Sequence, residues 1–301
     1  MSAMPRWAPE VGAAPRWATA RTGRESHGAT VAEVAAVLGI ELMPWQRQVL
    51  DVALEHEGGR LAYRDVVVTV PRQSGKSTLT LPLIVWRMLA ARSTLVYGAQ
   101  SRLAARQKLL DDQLPILGRS RLGKSFTATR ATGQEALRSA NGSLCRVISS
   151  DETAAHGMTL SLGVLDEAWA LGAEVEQAVR PAMSTKRNGQ LWSVSTAGTS
   201  RSTWWRSKVE LGREAVQAGS TSAVAFFEWS APPGAPLEDP ETLRRCHPAL
   251  GLTVDEATIR GDIAAMSPTE ARRAYLNQWA DDADDAGWGV VSRELWEATS
   301  W

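Results

Sequence analysis

Residues 70–77, Val-Pro-Arg-Gln-Ser-Gly-Lys-Ser, have the types and order that bind nucleotide phosphates. Gly75 allows the backbone to approach the phosphates, Lys76 reaches the β- and γ-phosphates, and the Ser77 hydroxyl can ligate Mg²⁺. The usual pattern has glycine at its first position, where this chain has Val70. Because Gly-Lys-Ser also arises by chance, the surrounding elements must support this assignment.

The whole loop is the predicted ATP-binding segment, because a helix start offers unpaired backbone N–H groups and a positive dipole end to phosphates. Its members are Pro71, Arg72, Gln73, Ser74, Gly75, Lys76, Ser77 and Thr78.

Two neighbouring carboxylates, Asp166 and Glu167, follow the hydrophobic run Leu162–Leu165. At the end of a strand, Asp166 can hold Mg²⁺ through water, which makes Ser77 and Asp166 the predicted metal residues. Glu167 can polarise the attacking water and is therefore the predicted catalytic carboxylate. The alternative is an acidic N-cap of the next helix, which is less favoured once the phosphate loop is accepted.

Two weaker signals complete the set. Ser195 and Thr196 directly follow the strand-like run Leu191–Val194, where hydroxyl groups can sense the γ-phosphate and pass on its loss. Gln46, in Pro44-Trp45-Gln46, has an amide that can pair with adenine and select ATP over GTP. Taken alone, Ser-Thr-Ala-Gly is also a common loop sequence, and a glutamine such as Gln46 is more often a solvated helix residue.

The elements around these residues alternate between strand and helix. Asp65–Val70 is a β-branched run typical of a strand buried on both faces, and a helix is predicted from Lys76 to about Ala91. Further strands are predicted at 93–97, 144–149, 160–165, 191–195 and 224–227, and helices at 30–38, 44–57, 101–117 and 175–183. This alternation predicts an α/β fold with a mainly parallel sheet flanked by helices.

Three regions are expected along the chain. Residues 1–28, rich in Ala, Pro and Arg, read as a flexible N-terminal arm. Residues 29–229 form the predicted P-loop ATPase domain. The breaker-rich run 231–236 introduces residues 230–301, a mostly helical linker or lid subdomain with helices at 240–246, 254–266 and 268–279.

The composition is that of an ordinary globular protein. Of 301 residues, 44% are hydrophobic, and no apolar run approaches the roughly 20 residues of a membrane span. The 33 basic and 33 acidic residues cancel, which argues against a stand-alone DNA-binding domain but permits a motor with local phosphate contacts. Cys145 and Cys246 match no metal spacing, and we expect reduced thiols.

Taken together, these motifs resemble the ATPase of phage large terminases, the motors that pump DNA into a procapsid. The likeness rests on Pro-Trp-Gln, the variant phosphate loop with Arg72, Leu-Asp-Glu-Ala and Ser-Thr-Ala-Gly, and covers roughly residues 40–280, including Tyr275-Leu276-Asn277-Gln278-Trp279. Those proteins characteristically lack the first loop glycine and carry an arginine within the loop.

The resemblance implies roles for individual residues. Gln46 would contact adenine, and Arg72 would stabilise transition-state charge in cis. Lys76 and Ser77 would bind phosphate and Mg²⁺, Asp166 the metal, and Glu167 would be catalytic. Ser195 and Thr196 would form the coupling motif.

The resemblance also implies a setting. It predicts an ASCE or RecA-like P-loop fold, ATP as substrate with Mg²⁺, and double-stranded DNA, a portal protein and a small terminase subunit as partners. The protein would work as a homo-oligomeric ring in the host cytoplasm, away from any membrane and outside the mature virion. Family members usually continue into an RNase H-like nuclease, so the chain reads as the motor half alone.

Other features depart from the family or have plainer explanations. Some members place a trans-acting arginine where this chain has His156-Gly157, which leaves Arg102 and Arg146 as weaker candidates for that role. The acidic run 281–285 reads as a solvated linker rather than a metal site. Arg102, Arg106 and Lys108 could face DNA, although a solvated helix face is the simpler interpretation. The pair Trp204-Trp205 favours a core position.

Two other functions fit parts of the pattern. A helicase-like nucleic-acid-dependent ATPase shares the Asp-Glu-Ala and Ser-Thr-Ala motifs, but it needs a second α/β lobe, and the sequence after Ala197 reads as mostly helical. A nucleotide-dependent switch or scaffold would bind ATP without turnover. Glu167 discriminates, because a switch can dispense with a carboxylate that orients water.

Overall fold

The run Asp-Val-Val-Val-Thr forms a strand in the interior of the main sheet. Val66 and Val68 pack in the core on one face of this sheet, and Val67 packs in the core on the other. A strand covered on both faces needs a continuous apolar run, as this one has. The computed structural model describes residues 12–149, 155, 157–219 and 223–279. Within these ranges, no helix combines the length and the apolar character needed to cross a membrane.

The described residues contain a nine-stranded sheet and a three-stranded sheet. The strands are β1 (Trp17–Ala18), β2 (Glu25–Ser26), β3 (Glu55–Glu57), β4 (Arg60–Leu61), β5 (Asp65–Thr69), β6 (Thr94–Gly98), β7 (Phe126–Thr129), β8 (Ala136–Ser139), β9 (Leu144–Ile148), β10 (Leu162–Asp166), β11 (Gln190–Ser195) and β12 (Val224–Glu228). The main sheet has the order β1-β12-β5-β11-β10-β6-β9-β8-β7, and β2-β3-β4 form the small one.

The centre of the main sheet is parallel, from β12 through β5, β11, β10 and β6 to β9. Antiparallel strands complete both sides, β1 on one and β8 and β7 on the other. Because parallel strands end at the same edge, the residues after β5, β10 and β11 come together there. Strand β11 lies between the other two, so its C-terminal residues stand between the phosphate loop and the paired carboxylates.

Helices cover both faces of the sheet. They are α1 (Gly28–Val37), α2 (Pro44–Ala53), α3 (Lys76–Ala90), α4 (Arg102–Arg106), α5 (Leu114–Arg119), α6 (Ala173–Met183), α7 (Thr203–Gln217), α8 (Pro240–Cys246), α9 (Glu256–Ala264) and α10 (Pro268–Tyr275). A π-helical segment, Gln107–Gln113, joins α4 to α5. One hydrophobic core contains residues of α1–α4, and a second, on the opposite face, contains residues of α6 and α7.

Helices α8–α10 have a smaller core of their own, which includes Leu243, Ile259 and Tyr275. They are nevertheless bonded to the main sheet's site edge. The Arg72 N–H donates to the Ala274 carbonyl at 2.7 Å, and the imidazole Nε2 of His247 lies 2.9 Å from the Arg72 carbonyl oxygen. The helical segment therefore holds the phosphate loop by its backbone.

The predicted α/β class and mainly parallel sheet are confirmed. The predicted flexible arm is wrong for residues 12–28, because β1 pairs with β12 and β2 pairs with β3. Residues 1–11 lie outside the described residues. The predicted helix 44–57 ends at Ala53, since the chain then turns into β3.

Candidate nucleotide-binding site

The phosphate loop leaves β5 and enters α3 through a left-handed turn. Gly75, the N-cap of α3, has φ of +83°, a conformation that glycine adopts without steric cost. A Cβ atom there would lie 2.5 Å from the Met43 Cε and 2.9 Å from the Thr78 Oγ1. Gln73 also has a positive φ, +60°, so the loop is strongly curved. The glycine predicted for close approach is therefore also required by the loop's own packing.

Gln46 lies fully buried beneath this loop. Its Nε2 donates to the Gly75 carbonyl at 2.8 Å and to the Thr78 Oγ1 at 2.7 Å, and its Oε1 accepts from the Met43 N–H at 2.8 Å. These bonds make Gln46 a support of the phosphate loop. Both amide protons are used, so donation to adenine would first require the bonds to the loop to break.

Lys76 extends from the first turn of α3 towards the ends of the neighbouring strands. Its Nζ donates to the Thr196 Oγ1 at 3.1 Å and lies 3.7 Å from the Glu167 Oε1. The side chain is buried. The structure thus brings together the predicted phosphate lysine, the predicted catalytic carboxylate and the predicted coupling threonine.

Asp166, at the end of β10, is fully buried and accepts hydrogen bonds on both oxygens. Its Oδ2 accepts from the Tyr97 hydroxyl at 2.8 Å and from the Lys108 Nζ at 2.9 Å, and its Oδ1 accepts from the Glu167 N–H at 2.9 Å. The Tyr97 bond comes from the adjacent strand β6. Asp166 is therefore fixed in one orientation before any ligand arrives.

Glu167 directly follows β10 with φ of +51°, a left-handed conformation that is uncommon outside glycine and concentrated at functional sites. The Trp169 indole Nε1 donates to its Oε2 at 2.9 Å, while its Oε1 faces Lys76 and, at 3.5 Å, Lys108. In this conformation the carboxylate faces the two ammonium groups.

The two lysines determine the electrostatics of the carboxylate pair. Burial alone would raise the pKa of Glu167, but the charges of Lys76 and Lys108 outweigh it and hold that pKa below its usual value. Burial opposes the charged form of Lys108 too, yet Asp166 and Glu167 raise its pKa above the ordinary value. Both carboxylate and ammonium are thus charged at neutral pH, as a water-polarising carboxylate must be.

The predicted coupling motif is bonded on several sides. The Ser195 Oγ accepts from the Trp169 N–H at 3.0 Å, and the Thr196 carbonyl accepts from the Trp205 indole at 2.9 Å. The next N–H, of Ala197, donates to the Asn277 Oδ1 at 2.5 Å. Ser195 therefore bonds to the turn after Glu167, Thr196 to the phosphate lysine and α7, and Ala197 to the C-terminal segment.

Asn277 also contacts the site, although no sequence motif assigns it a role. It is buried with φ of +52°, and its Nδ2 donates to the Thr69 Oγ1 at 2.9 Å and to the Trp229 carbonyl at 2.8 Å. It thereby joins the end of β5, the residue after β12 and the coupling motif. The Tyr-Leu-Asn-Gln-Trp stretch was a sequence signal for this region, but it carried no sign of these bonds.

The guanidinium of Arg72 pairs with a carboxylate other than Asp166 and Glu167. It is 38% exposed and lies 4.0 Å from the Glu270 carboxylate of α10. In this arrangement its charge is available to solvent rather than locked in a bidentate bond. Arg72 thus has no ion pair with Asp166 or Glu167 among the described residues.

The donor set fits Mg²⁺ bound together with a nucleotide. Magnesium in such sites takes one or two protein oxygens, with phosphates and waters completing the shell. Asp166 and Ser77 provide a carboxylate and a hydroxyl, and the described residues contain no cluster of three His, Cys, Asp or Glu that could hold a metal alone. The buried Ser74 hydroxyl also has no hydrogen-bond partner within the described ranges, as expected of a donor reserved for a ligand.

The remaining predicted features lie in several parts of the molecule. Lys108 contacts the carboxylate pair and does not lie on a solvated helix face, while Arg102 forms an ion pair with Glu135. Trp205 is fully buried and Trp204 nearly so, which confirms their core position. His156 and the acidic run 281–285 lie outside the described residues.

The fold is similar to that of phage large terminases. The HK97 bacteriophage large terminase superposes with a TM-score of 0.71 at 18% identity, over 84% of this chain and 55% of that one. The Thermus Phage P74-26 large terminase ATPase domain gives 0.57 at 17%, over 81% and 96%. A large terminase from a thermophilic bacteriophage, in complex with ATP-gamma-S, gives 0.52 at 10%, over 72% and 48%.

These likenesses establish the fold, because the identities are low. This chain spans about half the length of the HK97 protein and of the thermophilic bacteriophage protein, and nearly all of the P74-26 ATPase domain. No protein-family model matches the chain, and the comparison with curated proteins gives no match.

Proposed function

We propose that this chain hydrolyses ATP to drive double-stranded viral DNA into a procapsid. The observation that carries the proposal is the contact of Lys76 with both Glu167 and Thr196 at the end of a sheet with the fold of large terminase ATPase domains. A lysine for phosphate and a carboxylate for water are parts that phosphoryl transfer needs in one place, and the Thr196 hydroxyl bonds that lysine to the end of β11.

The chemistry follows from the positions of these groups. The N–H groups at the start of α3 and the Lys76 ammonium bind the β- and γ-phosphates and stabilise the charge of the transition state. Mg²⁺, held through Asp166 and Ser77, would neutralise phosphate charge when bound. Glu167, kept ionised by Lys76 and Lys108, orients and polarises the water that attacks the γ-phosphorus.

The neighbourhood of Thr196 provides a route from hydrolysis to movement. Loss of the γ-phosphate removes a partner of Lys76, and Lys76 is bonded to Thr196. Thr196 and Ala197 are bonded in turn to α7 and to Asn277. A change at the phosphate therefore reaches two other elements through three hydrogen bonds.

Within this proposal, double-stranded DNA is the translocated substrate, and a portal protein and a small terminase subunit are the partners. The working form is a homo-oligomeric ring in the host cytoplasm. These features rest on the likeness of the fold to large terminases, and this chain covers only about half the length of two of them.

The test is a comparison of Glu167→Gln with Lys76→Ala. Glu167→Gln keeps the shape but removes the negative charge, so a fluorescent ATP analogue should still bind while turnover falls by roughly 10²-fold or more. Lys76→Ala should weaken both binding and turnover. The matched control is Glu174→Gln on the exposed side of α6, which should behave as wild type.

Turnover by Glu167→Gln at the wild-type rate would contradict the assigned mechanism. For the translocation function, the wild-type ATPase rate should rise when DNA and portal-bearing procapsids are added together. A rate that neither addition changes would leave an ATPase without the proposed motor role.

A further inference from the structure

We propose that Lys108 is a resident cation that occupies the metal-binding side of the Asp166–Glu167 pair in the nucleotide-free protein, and that it must leave before Mg²⁺ can be held there. The inference deepens the proposed function and rests on it for the identity of the ligand. It assigns Lys108 as a positioning residue that controls access to the metal site.

The contacts of Lys108 are those of a bound cation. Its Nζ lies 2.9 Å from the Asp166 Oδ2 and 3.5 Å from the Glu167 Oε1, so one ammonium bridges both carboxylates. Lys76 does not duplicate this position, because among the described residues its recorded side-chain partners are Thr196 and Glu167. Lys108 is thus the cation that neutralises Asp166.

Both oxygens of Asp166 have hydrogen-bond partners among the described residues. The residue is fully buried, Tyr97 and Lys108 share its Oδ2, and the Glu167 N–H occupies its Oδ1. Tyr97 lies inside the sheet with its side chain completely buried, whereas Lys108 is 27% exposed. A cation arriving from solvent therefore meets Lys108 first, and Lys108 is the donor that is free to withdraw.

Lys108 lies in a π-helical segment between two α-helices. The helix that begins at Arg102 changes to π-helical geometry over Gln107–Gln113 and returns to α-helix at Leu114. A π-helical segment is rare, and where it occurs it redirects side chains, frequently at functional sites. Lys108 is the second residue of the segment, and the altered helical geometry sets the direction in which its side chain projects from the helix.

Charge explains why Lys108 should be exchanged rather than retained. With Lys76 and Lys108 in place, two ammonium groups balance two carboxylates. A divalent cation at the same carboxylates would face the repulsion of a nearby ammonium, since both cations would approach Asp166 closely. Removing the Lys108 charge should therefore favour metal binding to the free protein, whereas a purely structural ion pair would only lose stability.

The experiment titrates nucleotide-free protein with Mn²⁺ and measures free Mn²⁺ by electron paramagnetic resonance. Lys108→Met should bind Mn²⁺ roughly 10-fold more tightly than wild type, the scale set by one charge-assisted hydrogen bond. Lys108→Arg keeps a cation at the site and should bind Mn²⁺ no more tightly than wild type. Adding Asp166→Asn to Lys108→Met should abolish the gain.

Lys186→Met is the matched control, because Lys186 is exposed and follows α6 at the opposite edge of the sheet. Thermal melts without metal verify that each variant is folded, and Lys108→Gln replaces Lys108→Met with the same expectation if the latter is not. Mn²⁺ affinity that stays equal or falls in the folded uncharged variant overturns the inference, as does a gain that survives Asp166→Asn.

Binding of Mn²⁺ without nucleotide does not depend on turnover. A gain in a protein that hydrolyses no ATP would preserve the role of Lys108 and reject the proposed function. An active ATPase in which Lys108→Met shows no gain in Mn²⁺ affinity would reject the role of Lys108 and preserve the proposed function.

Discussion

Replacing Asn277 should separate the C-terminal helical segment from the ATPase core. Its amide joins Thr69, Trp229 and Ala197 in a buried position, and its backbone is left-handed with φ of +52°. Asn277→Ala removes every one of these side-chain bonds. Asn277→Gly removes the same bonds but tolerates the left-handed backbone, so the two variants distinguish hydrogen bonding from conformational strain.

The magnitude follows from the groups left behind. The N–H of Ala197 and the carbonyl of Trp229 belong to fully buried residues, and a buried polar group without a partner costs about 1–3 kcal/mol. Two such groups give roughly 2–6 kcal/mol, and an alanine held in the left-handed region adds about 1 kcal/mol. We expect Asn277→Ala to lower the free energy of unfolding by about 3–7 kcal/mol, and Asn277→Gly by about 1 kcal/mol less.

Urea unfolding followed by tryptophan fluorescence measures these differences. The matched control is Asn188→Ala, whose side chain bonds to the Gly59 carbonyl and the Leu61 N–H near the surface, where water can replace it. That variant should lose about 1 kcal/mol or less. A loss for Asn277→Ala no greater than that of Asn188→Ala would refute the reasoning, and so would a glycine variant less stable than the alanine one.

Two other predictions concern His247, which lies within the same helical segment, and Arg72, which is bonded to it. Burial lowers the pKa of His247 to about 4, below the 6.5 of an exposed imidazole, so the unfolded chain binds the proton first and stability falls as pH drops from about 6.5 to 4. Unfolding at a series of pH values should show up to about 3 kcal/mol of this loss in wild type and not in His247→Gln, and equal pH profiles would argue against it. If the exposed Arg72 guanidinium turns from Glu270 to the γ-phosphate in the transition state, Arg72→Ala should lower kcat on the order of 10²-fold with a smaller change in KM. An unchanged kcat with a large rise in KM would make Arg72 a ground-state phosphate clamp.

The strand-helix alternation was predictable because its signals are local. The β-branched run of β5 is apolar on both faces, and the expected strand ends within one residue of the observed one. Helix α7 was missed, although it has 15 residues. Gly212 lies in its interior and reads as a breaker, but a Cβ atom there would lie 2.3 Å from the Phe226 ring, so the helix needs glycine to pack on the sheet.

The motifs of the site were predictable from the sequence, but the hydrogen bonds and ion pairs that connect them were not. Lys76, Asp166 and Glu167 stand in recognised sequence patterns, and the order of parallel strands brings them to one edge. Lys108 lies 58 residues before Asp166, and the direction of its side chain depends on a π-helical segment that the sequence periodicity does not predict. Asn277 depends on a left-handed backbone and on partners 48 to 208 residues away. The roles assigned to these residues remain predictions.

Under the proposed function, the position of β11 would allow one small site to act on the helical segment. Because β11 lies between β5 and β10, its C-terminal residues contact both the phosphate lysine and the turn after Glu167. Two of the contacts of the helical segment lie at the site, one through Asn277 to Ala197 and one through α10 to the Arg72 backbone. One attachment is therefore on the coupling motif and the other on the phosphate loop. Under the proposed function, a change in their separation on hydrolysis would either tilt α8–α10 or break a buried hydrogen bond, and tilting would be the less costly outcome because it leaves the buried polar groups paired.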